Sequence, residues 1–374
     1  MELTELIRGL DLRGAGTISE NIDVSDLRYD SRQVVAGDLF VAWPGEKTDG
    51  RRFAAAAVEA GAVAVLAADE PLEPIDVPWL IDDDPRSTMG TLAARLFGHP
   101  DRELLVIGVT GTNGKTTITL TLQGVLEESG RPAGLLGTLG YRFRDLDLPG
   151  ERTTPEGSDL FRYLRRMREA GAEAVVMEVS SHALAQGRVD AMRYDVAVFT
   201  NLTRDHFDFH DGFEDYYAAK RHLFDLLSAE GRAVVNVGDP WGRRLVDELG
   251  SALTFGEGGD VDVRDVRLEP HGSSMVLSTP RGDLELETPL VGRYNVENLM
   301  AVVAVAEVLG LDREAVRRAV ARRAPVRGRL EPVDAGQQVP IFVDFAHTDG
   351  GLEAALRSLR ELGPEKIAVV FGCG

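Results

Sequence analysis

The sequence predicts an α/β protein built on parallel sheets, and three observations predict it. Short apolar runs of strand length alternate with helical stretches from about residue 38 to residue 200. One run, 104–107, feeds a glycine-rich turn, Gly108-Val109-Thr110-Gly111-Thr112-Asn113-Gly114-Lys115-Thr116-Thr117, which opens a helix over 118–128. The chain has 374 residues, too many for one ordinary domain, and its 44% apolar content is enough for real cores. The expected order is an N-terminal α/β domain over 1–100, a central parallel-sheet domain with a phosphate loop and an antiparallel β-rich part over 101–330, and the start of a third domain over 331–374.

Composition narrows the function. A net charge of −20 argues against a nucleic-acid or membrane-surface binder, because both polyanions repel such a chain. A small anionic ligand in a local basic site stays open. The single cysteine, Cys373, excludes an internal disulfide framework and a cysteine-rich zinc site, and it suits a reducing cytoplasm. The first ten residues carry Glu2 and Glu5 and do not read as a signal peptide. No run approaches the roughly 20 apolar residues of a membrane helix, so no membrane insertion is expected.

In the first domain, 38–43 reads as a strand stopped by Pro44-Gly45, 52–60 as an alanine-rich helix closed by Gly61, and 63–67 as a buried strand. A proline- and acid-rich passage follows, then a helix over 87–97 stopped by Gly98-His99-Pro100. Tyr29-Asp30-Ser31-Arg32 places a hydroxyl beside a guanidinium, a pair able to hold a base edge or a phosphate. On the residues alone, a surface turn is the simpler reading.

The turn at 108–117 has the parts of a phosphate cradle. Glycines let the backbone bend around an anion, N–H groups point inward, and a helix N-terminus adds partial positive charge. Lys115 would reach outer phosphates, and the Thr116 hydroxyl could hold a magnesium ion. The strict G-x-x-x-x-G-K-[ST] spacing is not met, since Val109 stands where the first glycine belongs. The βα rhythm continues with a strand and turn over 134–140, a helix over 156–170 with Leu160, Tyr163, Leu164 and Met167 on one face, and strands over 174–179 and 195–200. Ligands of open parallel sheets sit beyond the carboxyl ends of the strands. Those ends carry Lys115 and Thr116, then Glu178, then Asp205 and His206. Glu178 suits hard magnesium near a triphosphate, although a carboxylate there could instead pair with an arginine. His206 alone is unremarkable, and His210 four residues on leaves the metal assignment between them open.

Lys220 is sharper. Residues 213–227 are helical by pattern, with Phe213, Tyr217, Phe224 and Leu227 in one stripe that also contains Lys220. A lysine on an apolar face is costly unless paired or chemically changed. It either snorkels to the edge or holds a neutral amine that captures carbon dioxide. The carbamate so formed is an anion and a magnesium ligand.

Beyond 253 the pattern turns antiparallel, with strands over 262–268, 274–278 and 283–287. Asn295 can cap a helix over 296–309, a basic helix follows over 313–323, and 325–329 reads as a domain boundary. The tail has a helix over 351–362 and a strand over 366–371 with no full sheet to join, so poor order or docking on a neighbour is expected there.

At this point the residues resemble a known family. Asp30-Ser31-Arg32 with Gly37-Asp38-Leu39-Phe40-Val41, Thr110 through Thr117, Thr153-Thr154-Pro155, Glu178-Val179-Ser180-Ser181-His182-Ala183-Leu184, Phe199 through His206, Tyr217-Ala218-Ala219-Lys220, Gly292 through Asn298 and Asp344-Phe345-Ala346-His347-Thr348 stand in family order. The chain resembles the Mur ligases of peptidoglycan synthesis, most closely the MurE branch, over essentially its whole length. The family's own cradle is G-T-N-G-K-[ST], which accounts for the failed spacing.

The resemblance implies three domains, which bind the UDP end of the substrate, ATP, and the incoming amino acid, the last being Rossmann-like. It implies that Ser31 contacts the uridine and that Thr153, Thr154, Ser180, Gln186 and Arg188 hold the muramoyl-peptide. ATP would lie on Gly111, Thr112, Asn113, Gly114, Lys115, Thr116 and Thr117, with Asn295 at the adenine and Arg329, Asp344 and His347 closing over it. Magnesium would take Thr116, Glu178, His206 and Lys220 as N6-carboxylysine. Lys115, Lys220 and His206 would be the catalytic set. The implied reaction joins meso-diaminopimelate or L-lysine to UDP-N-acetylmuramoyl-L-alanyl-D-glutamate through an acyl phosphate. A monomer is expected.

Two residues depart from the family pattern: Asp349 replaces a usual proline, which loosens a junction loop, and Phe345 replaces a tyrosine. The sequence stops where the third domain's first strand meets its glycine-rich turn, so the motif that separates diaminopimelate from lysine lies outside it. The alternative reading is therefore a catalytically dead or split nucleotide-binding fragment. A folylpolyglutamate synthetase and a MurT-type amidating ligase are disfavoured by the full N-terminal domain and the single cysteine.

Overall fold

The computed structural model describes all residues except 15–17, 19–20, 46–47, 151 and 373–374; Cys373 lies outside the described residues. The chain forms two compact units. The first gathers Met1–Leu104 with Thr154–Gly171 and His182–Arg193, and the second holds Leu105–Thr153, Ala172–Ser181 and Tyr194–Gly374.

The first unit is a four-stranded parallel sheet in the order Asp26–Arg28, Asp38–Ala42, Ala64–Ala67 and Trp79–Ile81. Phe40, Ala42, Val65 and Ala67 pack against Ala54 and Ala57 of the helix Ala54–Glu59. The helix Pro85–Leu96 starts cleanly because Pro85 presets the first turn and Asp84 accepts the Ser87 N–H at 3.1 Å. The helix Gly157–Glu169, expected with the central domain, belongs to this unit. Its apolar face of Leu160, Tyr163, Leu164 and Met167 is buried as the spacing predicts. Polar contacts fix it here: Arg162 meets Asp26 at 2.8 Å, and Tyr29 donates to Asp159 at 2.7 Å.

The second unit is built on an eight-stranded sheet, in the order Leu253–Phe255, Leu227–Asn236, Tyr194–Phe199, Leu105–Thr110, Ala174–Glu178, Ala133–Gly137, Gly140–Phe143 and Leu146–Leu148. The first six strands run parallel and the last two form an antiparallel hairpin edge. The alternation of a strand sorts its faces. Ile107 and Val109 join the core made with the helices Lys115–Glu128 and Arg293–Val308, while Gly108 lies against Leu223 of the helix Phe213–Asp225. A separate three-stranded antiparallel sheet, Asp262–Glu269, Gly272–Ser278 and Leu284–Thr288, is the antiparallel part read from the sequence.

Three expectations change. Gly292, at φ 96°, is the residue that precedes the helix Arg293–Val308, so Asn295 lies inside it rather than capping it. Residues 366–371 join no sheet. The strand of this region is Ile341–Val343, paired antiparallel with Glu331–Val333. Asp349 opens the helix Asp349–Glu361 rather than sitting in a loop, where an acid suits the helix dipole. Among the described residues, no helix is long and apolar enough to cross a membrane.

Candidate functional site

Strand register brings three loops to one crevice. Val109 is level with Glu178 on one neighbouring strand and with Val198 on the other, and Thr110 is level with Phe199. Leu105–Thr110 is the strand on either side of which the chain order reverses, the place where open α/β sheets bind ligands.

The phosphate loop is anchored to the next strand end. Thr200 Oγ1 donates to the Asn113 carbonyl at 2.6 Å, and Asn201 Oδ1 accepts from the Asn113 N–H at 2.9 Å. Gly111 has φ 143°, and a Cβ there would stand 1.8 Å from Thr200 Oγ1, so only glycine lets the loop pass so close. Lys115 Nζ donates to the carbonyls of Gly111 at 2.8 Å and Thr112 at 2.9 Å. Burial lowers the Lys115 ammonium from its ordinary range; Glu178 opposes that shift and Arg329 adds to it.

Glu178 is 2% exposed. It accepts from Thr116 Oγ1 at 3.1 Å, from the Thr138 N–H at 3.0 Å and from Thr138 Oγ1 at 3.2 Å. Gly137 makes room for it, since a Cβ there would lie 2.4 Å from Glu178 Oε1. A buried carboxylate facing a hydroxyl at a helix start is a hard oxygen set. Among the described residues no three histidine, cysteine, aspartate or glutamate side chains gather. The Glu178 and Thr116 oxygens suit magnesium, which takes one or two carboxylates and completes its shell with phosphate oxygens and water.

Lys220 does not snorkel: it is 1% exposed. Its Nζ donates to the Gly111 carbonyl at 2.9 Å and lies 4.4 Å from the centre of the Tyr216 ring. Burial holds its ammonium well below the ordinary lysine range, the charge of Lys115 lowers it further, and Asp205 opposes both. The buried face of its helix is Tyr216, Tyr217, Lys220, Leu223 and Phe224. Phe213, expected on that stripe, is 40% exposed, and Leu227 belongs to the following strand.

His206 has a left-handed backbone, φ 55°, and its N–H donates to Asp205 Oδ1 at 2.8 Å. Burial lowers its pKa, Asp205 opposes, and Lys115 and Lys220 lower it further, so the neutral imidazole is favoured. His210 is buried with Nδ1 at 2.8 Å from Asp215 Oδ2.

Lys115, Thr116, Glu178 and His206 line a cavity of about 540 Å³, while Lys220 and His210 are not among its lining residues. Its wall includes Asn113 to Thr117, Glu178, His206, Thr153, Ser180, Arg329, Asp344 and His347. Thr153 Oγ1 lies 3.1 Å from Thr138 Oγ1. Asp344 accepts from the Leu330 N–H at 2.7 Å and from Tyr294 Oη at 3.2 Å. Asn295 is not part of the wall: its amide donates to the Val291 carbonyl at 2.8 Å and accepts from Asn298 at 3.1 Å. Asn298 does line the cavity, as do Thr138 and Tyr294, which sequence reasoning did not single out. Thr138 was signalled only by its place one past a strand end, whereas Tyr294 and Asn298 stood inside the Gly292–Asn298 motif without being picked out. The other expected substrate residues, Ser31, Thr154, Gln186 and Arg188, belong to the first unit. There Arg188 donates to the Thr154 carbonyl at 3.2 Å and to Gln186 Oε1, and its Nε lies 3.1 Å from Glu156. Ser31 opens a short 3-10 turn that Asp30 caps.

Residues 109–306 match the Mur ligase middle domain, 328–374 the Mur ligase glutamate ligase domain, and 23–96 the Mur ligase family catalytic domain. The chain belongs to the Mur ligase family. This Mur ligase is 43% identical, over all of its length and 75% of the relative's, to the UDP-N-acetylmuramoyl-L-alanyl-D-glutamate–2,6-diaminopimelate ligase of Geobacter metallireducens. It is 42% identical to the ligase of that name from Streptomyces avermitilis, over 96% of this chain and 73% of the relative. A solved structure of a ligase of the same name superposes with TM-score 0.81 at 29% identity, covering 100% of this Mur ligase and 77% of that chain.

Proposed function

We propose that this chain is an ATP-dependent amide-bond ligase that adds 2,6-diaminopimelate to UDP-N-acetylmuramoyl-L-alanyl-D-glutamate in the cytoplasm, acting as a monomer. The named relatives supply the substrate pair. The observation that carries the reading is one cluster: Lys115, after one strand end, and Lys220, from the helix Phe213–Asp225, both on the Gly111 carbonyl, with Glu178 of the neighbouring strand on Thr116. Residues 1–100, 101–330 and 331–374 would serve the UDP end, ATP and the amino acid.

A carboxylate of the terminal D-glutamate attacks the γ-phosphorus, and ADP leaves. The amine of the amino acid then attacks the acyl carbon, loses a proton, and phosphate leaves. Both partners of the first step are anions, so positive charge must offset their repulsion. Lys115 swings from its loop carbonyls to the phosphate oxygens, and the helix Lys115–Glu128 presents its N-terminal amides. Thr116, Glu178, His206 and carbamylated Lys220 would hold magnesium, which supplies Lewis-acid stabilisation of the transferring phosphoryl group. The Lys220 amine is suited to carbamylation because burial favours its neutral form. Carbon dioxide adds to the nitrogen lone pair and one proton is released to solvent. Thr153 and Ser180 would orient the muramoyl-peptide from the cavity wall, and Arg329, Asp344 and His347 would close over the nucleotide.

The test measures ADP binding and phosphate release separately, with UDP-N-acetylmuramoyl-L-alanyl-D-glutamate and either diaminopimelate or lysine. Release that depends on diaminopimelate is the expected result. Binding of ADP without any release would favour the second reading, a nucleotide-binding fragment.

A further inference from the structure

Tyr216 has no part in the chemistry above, yet it touches three members of the site. It is 1% exposed. Its ring lies under Lys220 Nζ at 4.4 Å and meets the His206 ring edge-on at 6.2 Å. Its hydroxyl lies 3.2 Å from Thr112 Oγ1, a fully buried contact.

The helix explains the pairing. Side chains of a helix lean toward its N-terminus, so Lys220 runs back over the residue four places earlier, which is Tyr216. Both then reach the same stretch of phosphate loop, Lys220 at the Gly111 carbonyl and Tyr216 at the Thr112 hydroxyl. Thr112 Oγ1 also donates to the Thr203 carbonyl at 3.3 Å and accepts from the Thr203 N–H at 3.0 Å. A threonine hydroxyl has one proton. Whichever of the two hydroxyls donates, the Thr112–Tyr216 contact joins the loop to the helix.

We propose that Tyr216 is a positioning residue for nucleotide binding: through the Thr112 hydroxyl it pins the phosphate loop to the helix that carries Lys220. The proposal rests on the reading of this cavity as the nucleotide site. Without the phenol, Thr112 keeps its Thr203 contacts and Lys220 its hold on the Gly111 carbonyl, but the loop loses one of its two ties to this helix and samples conformations in which its N–H groups no longer converge.

The test is a double-mutant cycle on the affinity for Mg-ADP, measured by titration calorimetry on the whole chain. Tyr216→Phe keeps the ring and should weaken ADP about fivefold, the scale of one net hydrogen bond. Thr112→Val, which also gives up the Thr203 contacts, should weaken it at least as much, Thr112→Ser should keep the unaltered affinity, and Tyr216→Phe with Thr112→Val should be no worse than Thr112→Val alone. Unchanged affinity in Tyr216→Phe, or losses that multiply in the double variant, would overturn the proposal. If the unaltered chain fails to bind Mg-ADP, the nucleotide-site reading falls and this role falls with it, so the two failures are told apart.

Discussion

The central parallel sheet and the segment from Glu331 onward treat their apolar residues in opposite ways. Val106, Ile107, Val109, Val175 and Val176 are all 0% exposed. Ile341 and Val343 are nearly half exposed, and Val370 is 98% exposed. The sequences look alike, since both regions carry β-branched runs. What differs is cover. Helices close both faces of the central strands, whereas the pair Glu331–Val333 and Ile341–Val343 stands as a two-stranded sheet. The candidate site follows the same division. Its central groups are each fixed by hydrogen bonds to neighbouring strand ends, while Phe345, beside Asp344 and His347, is 59% exposed. Chemistry is therefore expected to depend most on the central residues.

That contrast can be broken or sharpened by four measurements. Lys115→Ala removes the positive charge nearest the transferring group and should lower phosphate release by about 10³-fold; a loss below about tenfold would place the chemistry elsewhere. Lys220→Met keeps the volume but leaves no amine to carbamylate. Turnover should fall by about 10²-fold, the scale of losing support for a metal, and saturation at higher magnesium should not restore it. Gly137→Ala should destabilise the fold by about 1–3 kcal/mol in urea unfolding, because its Cβ meets Glu178 Oε1 and Cδ. The smallest effect belongs to the other region. Val343→Thr should change unfolding free energy by less than about 0.5 kcal/mol, as at an exposed position; a cost of several kcal/mol would show that the segment is covered in solution.

Sequence patterns carried the parallel sheet well, because a buried strand followed by a helix repeats two periodicities in turn. The phosphate loop and Glu178 were legible from their places at strand ends. Lys220 was legible from a stripe that proved to be shifted around the helix: Tyr216 lies on the buried face and Phe213 does not. Edge strands were harder. Asp26–Arg28 and Trp79–Ile81 have three residues each; the interior strand Leu227–Asn236 was hard for another reason, since Ser228-Ala229-Glu230-Gly231 near its start reads as a loop. The run at 366–371 shows the converse, since high strand propensity does not make a strand without a partner. Asn295 failed as a cap because Gly292 holds the backbone angle before the helix begins. Thr138 escaped notice because its N–H, a backbone group, provides one of its contacts with Glu178.

The helix Gly157–Glu169 has a consequence for how the polypeptide comes together. Asp26 finds Arg162 across a separation of 136 positions, and Arg86 finds Glu156 across 70. Between those partners the chain lays down the strand, loop and helix that carry Lys115. A ribosome working from the N-terminus thus produces the whole nucleotide cradle before it supplies the helix that completes the first unit. The N-terminal sheet must wait, with one helix missing, while downstream residues emerge. A chain severed after Leu104 would strand Asp26, Tyr29 and Arg86 on one fragment and their partners on the other. The first unit is continuous in space but not in time of synthesis.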